Sequence, residues 1–288
     1  MSADTLTPRR NSSPSIRSDA QLTFPRILRS EWIKLTSLRS TLWSLGLIIV
    51  LGVGMSLLVS SLGFGVGGEG PSEPDPGIVL TSATIGVAFG QLIAAVLGVL
   101  VISGEYSTGM IRSTLAAVPA RLPVLAAKAI MLFLLVTAVG AITMFGAWAA
   151  SYPVFDSQGL AVGLDEPGLA LALAGAALYL GLTAVFALGL GTLLRAAAGG
   201  IATVLGIILV IPTVLPLLAL AFDWVNDIAP YMISNAGAAM AQLPSEETQP
   251  ADPLMQTLLE PGVGALVVLA WTLVSLALGA IVLRRRDA

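Results

Sequence analysis

Six apolar stretches, at 41–62, 78–103, 129–150, 169–194, 201–222 and 263–283, each run 21 to 26 residues with no Lys, Arg, Asp or Glu inside them. A helix of that length crosses a hydrocarbon core of about 30 Å with some tilt, and an apolar run that long has no other stable home. The chain is 56% hydrophobic and 11% charged, well outside the range of soluble domains. The expected fold is therefore an all-α polytopic membrane protein with six transmembrane helices.

The segments between the spans alternate in charge. Residues 1–40 hold seven Lys/Arg, 104–128 hold Arg112, Arg121 and Lys128, 195–200 hold Arg195, and the tail holds Arg284, Arg285 and Arg286, which accounts for all 14. The other three segments, 63–77, 151–168 and 223–262, hold none, but carry 12 of the 17 carboxylates. Lys and Arg are retained on the cytoplasmic side, so both termini are expected in the cytoplasm. Topology accounts for the basic residues, and no nucleic-acid footprint remains.

Cysteine and histidine are absent. That removes disulfides, thiolate chemistry, histidine metal sites and histidine general bases, and with them intramembrane zinc proteases. The first 21 residues, rich in Ser, Pro and Arg, lack the apolar core of a secretory signal and are expected to form a disordered cytoplasmic tail. Arg outnumbers Lys twelve to two beside abundant Ala, Gly and Leu, a bias associated with GC-rich bacterial genomes.

Between 24 and 42, Phe24, Ile27, Leu28, Trp32, Leu35, Leu38 and Leu42 share one arc of a helical wheel, with Arg26 and Arg29 opposite and Lys34 and Arg39 at the flanks. This pattern predicts a helix lying on the membrane surface, its long cations reaching for headgroups. Glu31 projects from the middle of the arc, where a lone carboxylate is costly, so a partner is expected and Lys34 is the nearest candidate. After the second span comes Glu105-Tyr106-Ser107-Thr108-Gly109-Met110-Ile111-Arg112-Ser113-Thr114-Leu115. Ile111, Leu115 and Val118 share a face, which predicts a short helix stopped at Pro119. Glu105 and Arg112 sit at opposite ends of it, placed for charge pairing with a partner.

The fifth span carries Pro212 and Pro216, which free carbonyls and kink a helix. Residues 228–243 are weakly amphipathic and fit either short outer helices or a dip back into the bilayer. Gln91, Tyr179 and Thr183 are the more polar span residues and read as packing hydrogen bonds.

Ion-coupled transporters usually keep ionisable groups at membrane depth, and none lies inside these spans. A P-loop needs Gly-Lys-Ser/Thr, whereas Lys34 follows Ile33 and Lys128 follows Ala127. Active transport would thus need energy from a separate cytoplasmic subunit, and 104–121 is the best-equipped surface to receive it.

Three motifs in order resemble one family. Ser30-Glu31-Trp32-Ile33-Lys34-Leu35 with Ser37-Leu38-Arg39-Ser40-Thr41 resembles the N-terminal elbow of ABC exporter permeases of the second type. Glu105-Tyr106, Gly109, Ile111-Arg112, Thr114-Leu115 and Pro119-Ala120-Arg121, with Lys128 beyond, resemble that family's loop after its second span. Pro230 followed by Ser234-Asn235-Ala236-Gly237 is similar to its last outer segment. The resemblance, over about 22–288, implies a bacterial plasma-membrane permease subunit that is not itself an enzyme. By the same resemblance it would bind no cofactor directly, and ATP would be used by a separate ABC ATPase subunit. A second permease subunit, identical or homologous, would complete the pathway in the lipid bilayer. Carried over, Glu105, Tyr106, Gly109, Ile111, Arg112 and Leu115 become the ATPase-coupling loop, and Glu31, Trp32 and Lys34 the elbow. The alternative is a scaffold or sensor subunit that couples to a similar ATPase without transporting.

Overall fold

The computed structural model describes residues 23–62, 73–111, 114, 121–243 and 259–285. Six of its helices are long and apolar enough to cross a membrane, and no strand occurs among the described residues. The chain is an all-α, six-span protein.

A surface helix, α1 (Phe24–Ser37), precedes the first span, α2 (Arg39–Leu62). The predicted surface helix ran to residue 42; it stops instead at Ser37, where Leu38 turns extended (ψ 120°) and starts a new direction. The Ser37 hydroxyl donates back to the Lys34 carbonyl, the acceptor a helical Leu38 N–H would use. Leu42 therefore belongs to the first span.

The second crossing comprises α3 (Pro76–Thr84) and α4 (Val87–Ser107), and the third is α5 (Arg121–Ser157). Both helices bordering the loop after the second span run past the apolar windows: α4 continues beyond 103 and α5 begins before 129. Hydropathy stops at a charge; a helix does not when the charge finds a partner. The fourth span, α6 (Leu169–Leu194), packs on α4, α5 and the last span, α11 (Pro261–Arg285), and is the most enclosed of the six.

The fifth span, Ala197–Ala219, is the least enclosed. It is built from α7 (Ala197–Leu205), a π turn (Gly206–Val210) and α8 (Ile211–Ala219), with Pro212 at the start of α8 and Pro216 inside it. Pro212 has no N–H to donate, and the chain widens just before it, the Ile211 N–H reaching back to the Gly206 carbonyl.

After α8 the chain forms α9 (Trp224–Ile228), a 3₁₀ turn (Ala229–Tyr231) and α10 (Ile233–Met240). These are short helices, and they also dip inward. Tyr179, which lies against Gly237, is the eleventh residue of α6, so it sits about 15 Å from that helix's outer end at 1.5 Å per residue. Trp271, the eleventh residue of α11, donates its indole N–H to the Tyr231 carbonyl at 2.9 Å. The Asn235 amide donates to the Ala229 carbonyl at 2.7 Å, a second donor there beside the Met232 N–H. A Cβ on Gly237 would stand 2.1 Å from the Tyr179 ring, so only glycine admits this approach.

Candidate functional site

On α1, Ile27, Glu31 and Leu35 follow one another at i, i+4 and i+8 and form the buried face. Ile27 packs with Val124 and Ala127 of α5, and Leu35 joins the main core. Glu31, between them, is 1% exposed. Its Oε1 accepts from Lys34 Nζ at 2.8 Å and its Oε2 from Lys128 Nζ at 2.6 Å. The partner anticipated one turn along α1 is present, and a second comes from another span.

Both ammonium groups also reach Glu105, in the last turn of α4. Lys34 Nζ donates to Glu105 Oε1 at 3.0 Å and Lys128 Nζ at 2.9 Å. The four charges close a ring with no net charge that joins α1, α4 and α5. Lys34 makes a further, longer bond of 3.5 Å to Thr114 Oγ1, tying in the loop itself. Burial by itself depresses the pKa of Lys34, but hydrogen bonds and charge from Glu31 and Glu105 together outweigh it and raise the ammonium above its ordinary value of 10.5.

The ring decides what Glu105 can do. At 5% exposure, with one oxygen held by two lysines, it is an anchor for the loop and not an outward docking charge. Lys128, 2% exposed, is the residue that sequence reasoning undervalued, having noted it only as a basic position beyond the loop. A signal was there. In a chain with twelve Arg, the only two Lys both belong to this ring, where a compact ammonium with three donors can bridge two carboxylates that a flat guanidinium fork suits less well.

Beside the ring lies a second set of contacts. Arg195, the C-cap of α6, holds a left-handed backbone (φ 57°), and its guanidinium sits 5.3 Å from the centre of the Tyr106 ring. It also makes a long hydrogen bond, 3.4 Å, to the Val282 carbonyl, while Arg121 donates to the Leu283 carbonyl at 3.0 Å. Carbonyls in the last turn of a helix have no partner within it, and cations suit that end of its dipole. Segments that the sequence separates by tens of residues thus gather their cations at one end of the bundle, which the Lys/Arg rule makes the cytoplasmic end.

Of the remaining predicted loop residues, Gly109 adopts φ 72°, a left-handed turn in which its N–H returns to the Tyr106 carbonyl, so glycine is used there for its backbone. Ile111 is 4% exposed and packs in the core with Leu35 and Leu125. Arg112, Leu115, Val118 and Pro119 lie outside the described residues, as do the tail 1–21 and Arg286. Trp32 stays 44% exposed, off the buried face of α1, where an indole at the membrane interface is at home. Pro212 and Pro216 belong to the fifth span and are not part of this cluster. Gln91 accepts a short hydrogen bond from the Tyr179 hydroxyl, a link between α4 and α6 inside the bundle.

No family model matches the chain, and no curated protein matches it.

Proposed function

We propose that the chain is the membrane-spanning permease subunit of an ATP-driven exporter in a bacterial plasma membrane, working with a second permease subunit and a separate ATPase that docks on residues 104–121. The observation that carries this reading is the ring of Glu31, Lys34, Glu105 and Lys128 at the root of that loop. A loop that receives a push is useful only if its base is stiff. Here the base is fixed to the surface helix and to two spans by charge-assisted bonds, stronger than neutral ones. Chemistry of its own is poorly served: Ser, Thr and Tyr are present, but histidine is absent, and the buried carboxylates and ammoniums at this end neutralise one another.

The test is co-purification of a cytoplasmic ATPase with the tagged chain, followed by reconstitution and measurement of hydrolysis and flux together. Arg112→Glu, within the expected docking surface, should weaken co-purification or uncouple hydrolysis from flux while six-span insertion is unchanged. Full coupling in that variant removes the loop from the mechanism. ATPase binding without any flux across a substrate panel would favour the scaffold or sensor role.

A further inference from the structure

On the face of the first two turns of α2, just after the bend from α1, Arg39, Leu42, Trp43 and Gly46 line a shallow, open groove of about 340 Å³. Its chemistry is graded. Arg39 stands at one end, and below it Leu42 is 55% and Trp43 80% exposed. Gly46 completes the groove, and a Cβ there would meet nothing within 4 Å. Lys34 and Lys128 are committed to the ring, and Arg121 and Arg195 to the end of α11. Arg39 has no hydrogen-bond or ion-pair partner among the described residues.

We infer that this groove is a binding site for an anionic phospholipid of the cytoplasmic leaflet, with the phosphate-bearing headgroup on Arg39 and the start of an acyl chain along Leu42, Trp43 and Gly46. A cation at headgroup level above an exposed indole and an apolar notch matches an amphiphile end to end. A soluble anion has no use for the apolar part, and a zwitterionic lipid offers no net charge to the guanidinium. A second copy of this chain is poorly matched as the occupant. Between residues 20 and 286 its only carboxylates on the basic side are Glu31 and Glu105, and both are already consumed in the ring.

Trp43 is a built-in reporter. The protein is reconstituted in phosphatidylcholine vesicles containing a small, equal mole fraction of either brominated phosphatidylglycerol or brominated phosphatidylcholine. The Trp43 contribution is isolated as the difference between the parent and Trp43→Phe. The bromine-labelled anionic lipid should occupy the Trp43 site about fivefold more than the neutral one, the factor equivalent to roughly 1 kcal/mol per Arg near an anionic surface. Arg39→Gln should abolish that preference, and Gly46→Leu should lower occupancy by filling the notch. The parent's own salt dependence needs no variant: the preference must shrink as the Debye length falls from about 10 Å at 0.1 M to about 3 Å at 1 M. Equal quenching by both lipids, or a preference indifferent to salt, overturns the site. So does the absence of quenching by either lipid, with Trp43→Cys forming disulfide-linked dimers that assign the groove to a second copy.

Discussion

Replacing Lys128 by Met tests whether the four-charge ring holds the inner end together. The side chain is 2% exposed and gives one bond of 2.6 Å to Glu31 and one of 2.9 Å to Glu105. Methionine keeps most of the volume, so the change is mainly electrostatic. What remains is Glu31, Glu105 and Lys34, a buried site with a net charge of −1. Breaking a buried pair by removing one partner costs about 3–5 kcal/mol, because the other charge stays behind without water. Glu31→Leu makes the opposite error, leaving Lys34 and Lys128 with Glu105 alone, at +1. The Lys34–Glu31 bond goes with it, so a loss of similar size is expected.

The combination decides the matter. Lys128→Met with Glu31→Leu leaves Lys34 bonded to Glu105 at 3.0 Å and the site neutral again. Replacing a buried pair by apolar groups of like volume is often close to neutral. The double variant should therefore be more stable than either single, and should exceed the sum of the singles by more than about 3 kcal/mol, the upper end of coupling between touching residues. The assay is equilibrium unfolding in mixed detergent–SDS micelles for all four proteins, with monodispersity checked first. Strict additivity would mean that the charges do not act as a unit, and the stiff-base account of the loop would fall with it.

Two further outcomes follow from the same geometry. Because the Lys34 pKa is raised in the folded protein, its contribution is complete below the ordinary lysine value of 10.5 and is lost as pH rises through the folded value; detergent stability should show an alkaline loss above 10.5 that Lys34→Met lacks, and a loss of the same size in that variant would assign the effect elsewhere. The chain has no cysteine, so single cysteines report topology cleanly: an impermeant maleimide should label Glu166→Cys from outside intact cells and Ser107→Cys only after permeabilisation, and external labelling of Ser107→Cys would invert the bundle.

The six spans were legible because lipid imposes a rule that needs no knowledge of tertiary contacts: each must be long, apolar and helical. The partnering of Glu31 was legible for the complementary reason, since a carboxylate in an apolar arc demands a partner. Which partner was only half legible. Lys34 lies one turn away on the same helix, but Lys128 arrives from 97 residues along the chain, and helical spacing carries no information across that distance. The ends of α4 and α5 were hidden by the same fact. Glu105 and Lys128 look like loop residues to a hydropathy window because the window prices each charge alone, whereas the structure prices the ring. The inward dip of residues 229–240 was left open by the sequence, where its weak amphipathicity has a cause: the segment meets Tyr179 on α6 and Trp271 on α11, so it has no single wet face to advertise.

Under the proposed function, the distribution of constraint says where motion can be absorbed. A displacement applied to residues 108–120 reaches the ring first, and the ring joins α1, α4 and α5 through four ammonium–carboxylate contacts, none longer than 3.0 Å. Separating those helices would leave the buried charges of Glu31, Glu105 and Lys128 unpaired, so they respond as one body. The fifth span has the opposite design. Its helix is interrupted by a π turn, carries Pro212 and Pro216, and packs less of its surface on the rest of the chain than any other span. Each proline removes an N–H from the backbone ladder, so bending there breaks fewer hydrogen bonds than bending anywhere along α6. Stiffness at the loop root and compliance in the fifth span are what a relay needs: the first keeps the input from dissipating among the inner helix ends, and the second lets one wall of the bundle move while the core around α6 stays packed.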